Sequence, residues 1–398
     1  MNNVILILCI LPQDIALAEK KGIDGFVLNV GSDSWQRARV ADAYEAAQQN
    51  GQGFKLFMSF DMSSMPCSNP EDGKKLREYI TTYQSHPNQL KYKNAILAST
   101  FAGQDCRFGA KSLNEGWRNT LKTGLPPVHF VPSFFVDPAT FGGLNVMDGS
   151  FSWNSGWPMG NYRINNNSDV TYVNNLGGRT YMAAVSPWFF THYGKDTYNK
   201  NFIYRGDDWL FSERWEMLVK NRASIGIAQV ISWNDFGESH YIGPIEGAQP
   251  RSEAWTTGFD HQGWLDLVQY YSSGFKTGSY PVITRDRVFM WSRLYPAGAD
   301  APDGIGKPTN WSFTEDCLWV VVLLTSPAQV RLTCGVAVST TMVPSGLSKL
   351  GLHFFADCAA KVEIFRGGVL ALQFAPAKFA FHKNPPNYNF NAFVAASP

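Results

Sequence analysis

Charged side chains are scarce in this 398-residue sequence. Asp, Glu, Lys and Arg make up 17% of it, below the roughly 25% typical of soluble domains. The 34 basic residues nearly balance the 33 acidic ones and leave a formal net charge of +1, so the basic excess that binds nucleic acid or an anionic membrane surface is missing. No apolar run reaches the roughly 18 residues of a membrane-spanning helix. These absences argue against nucleic-acid and membrane partners.

The sequence also lacks the residue spacings that usually hold a metal ion. Its six cysteines include no CxxC pair and its seven histidines include no HxxxH pair, the spacings common among zinc ligands. Only His192 and His240 follow predicted strands, and no Ser-His-Asp or Cys-His combination assembles around them. We therefore predict no metal site.

Aromatic side chains are abundant where charges are few. Phe, Tyr and Trp make up 14% of the residues and include 13 tryptophans. Aromatic rings offer flat apolar faces, often with a polar edge, and such faces suit the apolar faces of sugar rings. The composition therefore favours a neutral, hydroxyl-rich partner such as a polysaccharide, and we expect the protein to act as a monomer.

Short apolar runs alternate with amphipathic stretches through the first two-thirds of the chain. The eight runs are VILILCI (4–10), GFVLNV (25–30), FKLFMSF (54–60), AILASTF (95–101), VHFVPSFF (128–135), LNVMDGSFSW (144–153), TYMAAVSPWFF (180–190) and GIAQVISW (226–233). Apolar strands that alternate with helices indicate a parallel sheet covered on both faces. Eight such units predict a (β/α)8 barrel over residues 1–282.

The patterning changes near residue 283. From there, strand-like segments such as CLWVVVLLT (317–325) and AKVEIFRGG (360–368) are separated by Gly, Pro and Ser, and no helical period remains. This pattern is typical of two packed β-sheets. We predict a β-sandwich domain over residues 283–398, in which 296–309 is a long loop.

Carboxylates and aromatic residues follow the predicted strands, at the ends that line the active site of such a barrel. The candidates at these ends are Asn29, Asp33, Trp35, Asp61, Trp153, Trp157, Trp188, Trp233, Asn234, Asp235 and Glu238. Cleavage of a glycosidic bond requires such a set, because one carboxylic acid protonates the leaving oxygen while a second carboxylate activates water or attacks the sugar. Each residue also has a structural alternative, since a lone aspartate often caps a helix and tryptophan is usually buried.

The strongest local signal is the pair Asp235 and Glu238 in SWNDFGES (232–239). Acids at this spacing can also form a capping box at a helix start, but Gly237 lies between them and no apolar helical period follows. Their side chains can lie about 5–6 Å apart in a helical segment and about 10 Å apart in an extended one. Both the retaining and the inverting geometry of glycoside hydrolysis fall within that range, so the spacing leaves the stereochemistry open.

Several motifs resemble the fungal α-1,3-glucanases, or mutanases, of glycoside hydrolase family 71. They are GIDGFVLNVGSDSWQ (22–36), GFKLFMSFDMS (53–63), STFAGQ (99–104), FVPSFF (130–135), SWNDFGESHYIGP (232–244), DCLWVVVLLTSPAQVRLT (316–333) and NPPNYNFNAFVA (384–395). The resemblance covers nearly the whole chain. It implies a (β/α)8 barrel, an inverting endo-hydrolase of linear α-1,3-glucan without a cofactor, and essential acids at Asp61, Asp235 and Glu238.

On this basis we assign expected roles to the three acids. Glu238 is expected to be the general acid, with its pKa raised by apolar surroundings that include Trp233 and Phe236. Asp235 is expected to be the general base, and Asp61 to stabilise the site or position water. The expected sugar contacts are Asn29, Asp33, Trp35, Trp153, Trp157, Trp188, Trp233, Asn234, His240 and Tyr241.

The N-terminus departs from the family pattern. Where the family usually has a strand with a His-containing motif, this chain has MNNVILILCILPQ (1–13), ahead of a helix that starts at Asp14. Either VILILCI substitutes as the first strand, or the first strand and its secretion signal are missing from this sequence. We expect a secreted or cell-wall protein. Loss of the strand would favour the alternative function, a wall protein that binds polysaccharide with impaired catalysis.

A secreted protein can carry disulfides and N-linked sugars. Cys67 and Cys106 follow adjacent strands at the same barrel face and are the first candidate pair. Cys334 with Cys358 is a second candidate pair, and Cys317 could replace a partner in either. The sequons Asn166-Asn167-Ser168 and Asn310-Trp311-Ser312 make Asn166 and Asn310 candidate glycosylation sites.

Overall fold

The computed structural model describes residues 12–247, 249 and 251–398, so the predicted first strand at 4–10 lies outside the described residues. The chain groups into two compact units. Unit 1 holds the described chain up to Gly156, Asn165–Val185 and Lys220–Val230, and unit 2 holds Trp157–Ile164, Ser186–Val219 and Ile231–Pro398. These units interleave along the sequence, and the domain boundary expected at 282/283 stays a prediction.

Unit 1 has parallel strands at the other seven predicted apolar runs. They are β1 (Gly25–Val30), β2 (Lys55–Asp61), β4 (Ala95–Phe101), β5 (Val128–Phe130), β6 (Gly149–Ser152), β7 (Thr180–Val185) and β10 (Ile227–Val230), with a short antiparallel strand β3 (Lys91–Tyr92) beside β4. One sheet has the parallel order β1-β2-β4-β5 and the other has the parallel order β6-β7-β10. Hydrogen bonds of 2.8 Å from Asp148 N to Phe130 O and from Phe151 N to Pro132 O run between the segments of β5 and β6.

Helices alternate with these strands. They are α1 (Pro12–Lys20), α2 (Gln36–Gln49), α3 (Pro70–Tyr83), α4 (Leu113–Leu121) and α5 (Asn167–Leu176). The strands between them are almost continuously buried, as in β2, where every residue after Lys55 is buried. That burial explains their apolar sequence, because a parallel sheet covered on both faces leaves no solvent-facing row of side chains. Unit 1 is therefore a mixed α/β arrangement in which parallel strands alternate with helices.

The loop between β2 and α3 is fixed at both ends. Asn69 Oδ1 accepts hydrogen bonds from Glu71 N at 3.0 Å and Asp72 N at 3.2 Å, and Asp72 Oδ2 accepts one from Asn69 N at 3.1 Å. With Pro70 at the first helical position, this capping box sets where α3 begins. A disulfide joins Cys67 in the loop to Cys106, with a Cα–Cα distance of 5.2 Å.

Unit 2 contains a β-hairpin, helices and two antiparallel sheets. The hairpin is β8 (Phe190–Tyr193) with β9 (Lys200–Ile203), and the helices are α6 (Leu210–Lys220), α7 (Glu253–Thr256) and α8 (Gln262–Thr277). The remaining strands are β11 (Arg287–Ser292), β12 (Cys317–Leu324), β13 (Ala328–Cys334), β14 (Ala337–Val343), β15 (Gly346–His353), β16 (Cys358–Arg366), β17 (Val369–Phe374), β18 (Ala380–Phe381) and β19 (Phe393–Ala396). One sheet has the order β15-β12-β11-β19 and the other the order β14-β13-β16-β17, with β18 beside β16.

The two antiparallel sheets share one hydrophobic core. Along β13 every second residue is buried, which is the two-residue period of a strand with one face turned inward. Buried side chains of both sheets form one cluster, to which β11 contributes Val288, β12 contributes Val320, β13 contributes Val330 and β16 contributes Val362. A second disulfide joins Cys334 to Cys358, and Cys317 is a buried free cysteine.

No helix among the described residues combines the length and the hydropathy that a membrane span requires.

The two candidate glycosylation sites differ in their surroundings. Asn310 Nδ2 donates a hydrogen bond of 3.2 Å to the carbonyl of Ile203, which an attached sugar would disturb. Asn166 precedes α5 and makes no side-chain capping bond there.

Candidate active site

The segment that carries Asp235 and Glu238 is a loop of unit 2 that closes on itself. Ser232 N donates a hydrogen bond to His240 O at 2.9 Å, and Gly243 N donates one to Trp233 O at 2.8 Å. Ile242 N also donates to Ser232 O, at 3.0 Å. These backbone bonds join the two ends of the loop, so the acids between them occupy fixed positions.

Asp235 makes one of the two hydrogen bonds of a capping box, the structural alternative considered for this motif. Its Oδ1 accepts a hydrogen bond of 3.0 Å from Glu238 N. The reciprocal bond is replaced, because Asp235 N donates to Ser232 Oγ at 2.9 Å. No helix follows in the described chain until α7 at Glu253. The Glu238 side chain is therefore available for other partners.

Glu238 lies between a histidine and a lysine. Its Oε2 accepts a hydrogen bond from His240 Nε2 at 3.1 Å, and its Oε1 lies 3.4 Å from Lys200 Nζ at the start of β9. His240 Nδ1 in turn lies 2.9 Å from Ser232 Oγ. Ser232 and His240 thus connect the two acids through one hydrogen-bonded chain.

The electrostatics of the pair contradict the expected roles. Burial raises the pKa of Asp235 to about 7, and the negative charge of Glu238 adds to the increase. Burial also acts on Glu238, but the hydrogen bond and charge of His240, together with Lys200, outweigh it and hold the pKa of Glu238 below its ordinary value. The expectation of a raised pKa at Glu238 was wrong, because the predicted apolar surroundings omitted these two basic side chains. Below about pH 7 this pair therefore favours a proton on Asp235 and a charge on Glu238.

The two carboxylates are close together. An oxygen of Asp235, an oxygen of Glu238 and a ring nitrogen of His240 all lie within 4.8 Å of one another. Acid and base in an inverting hydrolase are roughly 6.5–9.5 Å apart, because a water molecule must fit in line with the sugar. Asp235 and Glu238 are therefore too close to form such an acid and base pair by themselves.

The same three side chains are the one group in the described part of the chain with the spacing of a metal-ligand set. Lys200 Nζ faces Glu238 at 3.4 Å, and its positive charge opposes a cation at that carboxylate. The absence of a metal, expected from the sequence, stays a prediction.

Aromatic residues of unit 2 pack behind the loop. The ring centroids of Trp157 and Phe189 lie 5.9 Å and 5.6 Å from that of His240. Trp157 is itself buried, and its Nε1 donates a hydrogen bond of 2.9 Å to Trp188 O. These contacts hold the His240 ring toward Glu238, so Trp157 and His240 present almost no surface to a sugar.

Two expected sugar contacts are corrected by the structure. Trp188 and Tyr241 are both 0% exposed. Trp188 Nε1 donates to Phe390 O at 3.0 Å, and Tyr241 stacks on His261 with ring centroids 4.0 Å apart while its hydroxyl donates to Phe259 O. The expectation failed because these packing partners lie outside the local motifs: Phe390 is 202 residues from Trp188, and His261 is 20 residues from Tyr241. Trp233 and Asn234 remain partly exposed.

The remaining expected residues lie in unit 1. Asp61 ends β2, is 1% exposed, and accepts hydrogen bonds at Oδ1 from Ser63 N at 3.0 Å and Ser63 Oγ at 2.5 Å. Asn29 in β1 is buried, and neither atom of its side-chain amide has a hydrogen-bond partner among the described residues. Asp33 and Trp35 are exposed before α2, and Trp153 is half-buried after β6.

Sequence reasoning missed Lys200 and Ser232. Lys200 lies 38 residues before Glu238 in a segment without a recognisable motif, and only the β8–β9 hairpin reveals where it points. Ser232 lies inside the motif SWNDFGES (232–239), but its hydrogen bond with His240 forms only because the loop closes on itself. A Ser three residues before Asp235 was the one available signal, since Ser commonly bonds a nearby backbone N–H.

Comparison with known proteins decides the family. The model of glycosyl hydrolase family 71 matches residues 11–398. The chain belongs to that family. The resemblance seen in the motifs is thereby confirmed.

Curated relatives of this family-71 chain include three fungal proteins. A glucan endo-1,3-alpha-glucosidase of Schizosaccharomyces pombe is 37% identical over 392 residues, covering 96% of this chain and 89% of the relative. A mutanase of Penicillium rubens is 33% identical, covering 97% and 84%. An ascus wall endo-1,3-alpha-glucanase of S. pombe is 30% identical, covering 95% and 91%.

A solved structure resembles the fold of the family-71 chain. A GH99 endo-alpha-mannosidase from Bacteroides thetaiotaomicron superposes with a TM-score of 0.51 at 12% sequence identity, covering 68% of this chain and 80% of that one. At this identity the likeness describes the fold alone. It supports a mixed α/β fold for this chain.

Proposed function

We propose that the protein hydrolyses α-1,3-glucosidic bonds in α-1,3-glucan. The observation that carries this proposal is the loop that places Asp235, with its pKa raised to about 7, beside the ionised side chain of Glu238. A buried carboxyl group with a raised pKa keeps its proton to a higher pH and can serve as a general acid. The names of the two S. pombe relatives supply the linkage and also support endo action, and the family is consistent with both.

In this proposal Asp235 is the general acid and protonates the leaving oxygen. Its burial, and the negative charge of Glu238 beside it, keep the proton on Asp235. Glu238 stays ionised through His240 and Lys200, and it both holds Asp235 in place through its N–H and maintains the raised pKa. This reverses the roles expected from the sequence.

The base of an inverting reaction then comes from outside the pair. Asp61 stays a proposed catalytic residue on the family resemblance and on its burial at the carboxyl end of β2, the strand end where barrel enzymes place catalytic groups. The inverting outcome rests on the same resemblance. Asn29, Asp33, Trp35, Trp153, Trp233 and Asn234 stay proposed sugar contacts.

The proposal also covers the fold of the two parts of the chain, the compartment in which the protein acts and its oligomeric state. The seven parallel strands support a (β/α)8 barrel, and the shared core of the antiparallel sheets supports a C-terminal β-sandwich. Two disulfides support an oxidising compartment, and one relative is named as an ascus wall enzyme. We propose a secreted or cell-wall monomer.

The test is a panel of polymers that differ only in linkage. Purified protein is incubated with α-1,3-, α-1,4-, α-1,6- and β-1,3-glucan, and reducing ends are measured over time. We expect release from the α-1,3-linked polymer, with oligosaccharides as the first products. Binding to α-1,3-glucan without release would instead favour the alternative of a wall protein with impaired catalysis.

Gly237 provides a test of the loop geometry. A Cβ atom at this position would lie 2.4 Å from Tyr193 Oη, so Gly237→Ala has to displace the loop between the two acids. We expect a roughly 10- to 100-fold lower rate on α-1,3-glucan, since a shift of about 1 Å costs about that much. Adding Tyr193→Phe removes the clashing oxygen and should recover most of the rate. A Gly237→Ala enzyme with wild-type rate would show that the loop is not held as the structure has it.

A further inference from the structure

A partly exposed aromatic surface lies in unit 1, outside the loop of Asp235 and Glu238. Phe135 is 41% exposed although it is a large apolar side chain. Its ring centroid lies 5.1 Å from that of Phe101, which in turn lies 4.9 Å from that of Trp153. Phe101 and Trp153 are half-buried. We call these three residues the aromatic platform.

The platform is built from three neighbouring strand ends. Phe101 is the last residue of β4, Phe135 follows β5 and Trp153 directly follows β6. Packing of three rings edge to face gives a preferred geometry rather than a loose apolar patch. Each of three separate segments contributes one ring, and the three rings together form one surface at this edge of the unit.

Hydrogen bonds and a disulfide hold the backbone segments next to the platform in place. Gln104 Oε1 accepts a hydrogen bond of 3.3 Å from Phe135 N. The loop that carries Gln104 is fixed on both sides, by the bond of 3.0 Å from Trp117 Nε1 to Gly103 O and by the disulfide at Cys106. A preorganised ring loses little conformational entropy when a ligand stacks on it.

The platform adjoins a proposed catalytic acid on the same sheet. Phe101 is the register partner of Asp61 in the parallel pair of β4 and β2, and partners in register turn their side chains to the same face of a sheet. Asn29 is the register partner of Ser59, two residues before Asp61, so it too lies on that face. Its buried amide has no hydrogen-bond partner among the described residues. One face thus offers apolar rings, a carboxylate and an unengaged amide.

We propose that the aromatic platform is a glucosyl-binding subsite, in which the ring of Phe135 stacks on the apolar face of one sugar unit of the glucan. This inference rests on the proposed function, because the glucan is the occupant. A sugar ring fits the size of one exposed aromatic ring, whereas a stable protein partner would need an interface of roughly 1,200 Å² or more. The adjoining amide and carboxylate match the hydroxyl groups at a sugar's edge.

The test separates binding from turnover. Phe135→Ala should raise KM for soluble α-1,3-linked oligosaccharides by about 3- to 10-fold, the loss expected for one aromatic contact, while kcat changes by less than about 3-fold. Phe135→Tyr keeps a ring and should bind like the wild type. The matched control is Phe355→Ala, which removes another exposed phenylalanine, 70% exposed and in unit 2, and should change neither constant.

The possible outcomes distinguish the two proposals. If the wild type cleaves α-1,3-glucan and Phe135→Ala leaves KM unchanged, the platform proposal is overturned while the proposed function stands. If Phe355→Ala weakens binding as much as Phe135→Ala, the platform has no special role and the proposal also fails. A wild type that neither binds nor cleaves the oligosaccharides overturns the function itself.

Discussion

Replacing Asp235 by Asn is expected to slow the release of reducing ends from α-1,3-glucan by roughly 10²–10⁴-fold, the usual contribution of a general acid. Asparagine has almost the same shape and can still accept the hydrogen bond that Asp235 Oδ1 receives from Glu238 N at 3.0 Å. It cannot give a proton to the leaving oxygen. The loss therefore reports proton transfer rather than collapse of the loop.

The control for this variant is Asp42→Asn. Asp42 lies on α2 with 44% of its side chain exposed and pairs with Arg39 on the helix surface, where such an ion pair contributes little. The control should keep the wild-type rate, and both variants should melt within a few degrees of the wild type. An Asp235→Asn enzyme with more than about a tenth of the wild-type rate would contradict the assignment of Asp235 as the acid.

Replacing Glu238 by Gln is expected to lower the rate by about 10²-fold, the low end of the range for proton-transfer catalysis, because it weakens the proton donor Asp235, and to change the pH dependence of the rate. In the wild type the proton donor has a pKa of about 7, so the rate should fall as pH rises through about 7, where Asp235 loses its proton. The negative charge of Glu238 is the second cause of that raised pKa, after burial. Its removal therefore lowers the pKa of Asp235 and moves the alkaline limb of the pH–rate profile to lower pH.

The measurement is kcat/KM from about pH 4 to 9 for both enzymes. The wild-type profile should have its alkaline limb near pH 7, where Asp235 loses its proton. Glu71→Gln is the matched control, because Glu71 lies on α3 with 73% of its side chain exposed. An alkaline limb that stays in place, or moves upward, in Glu238→Gln would contradict the coupling between the two acids.

Much of the fold could be predicted because buried strands require apolar residues, and runs of such residues are visible in the sequence. Seven apolar runs became parallel strands, since a covered parallel sheet needs apolar residues on both faces. Helix ends are harder to predict than helix starts: a capping box at Asn69 marks the start of α3, whereas no comparable signal marks its end at Tyr83. The strands of the two antiparallel sheets were visible because the helical period disappears after residue 283.

The candidate site was only partly predictable. Asp235 and Glu238 were recognisable, because two acids in a glycine-containing turn without a following helix have few structural uses. The relative pKa values of the two acids could not be predicted, because Lys200 belongs to a separate hairpin and lies 3.4 Å from Glu238 only in the folded chain. The burial of Trp188 was equally invisible, since it depends on Phe390, 202 residues away.

The claim that Asp235 delivers the proton is tested most directly by comparing two leaving groups. Wild type and Asp235→Asn are assayed on α-1,3-glucan and on an aryl α-1,3-oligoglucoside whose phenol leaves without protonation. The account predicts a loss of roughly 10²–10⁴-fold on the glucan and a rate within about 10-fold of wild type on the aryl substrate, because only the sugar leaving group needs the acid. Equal losses on both substrates would contradict it.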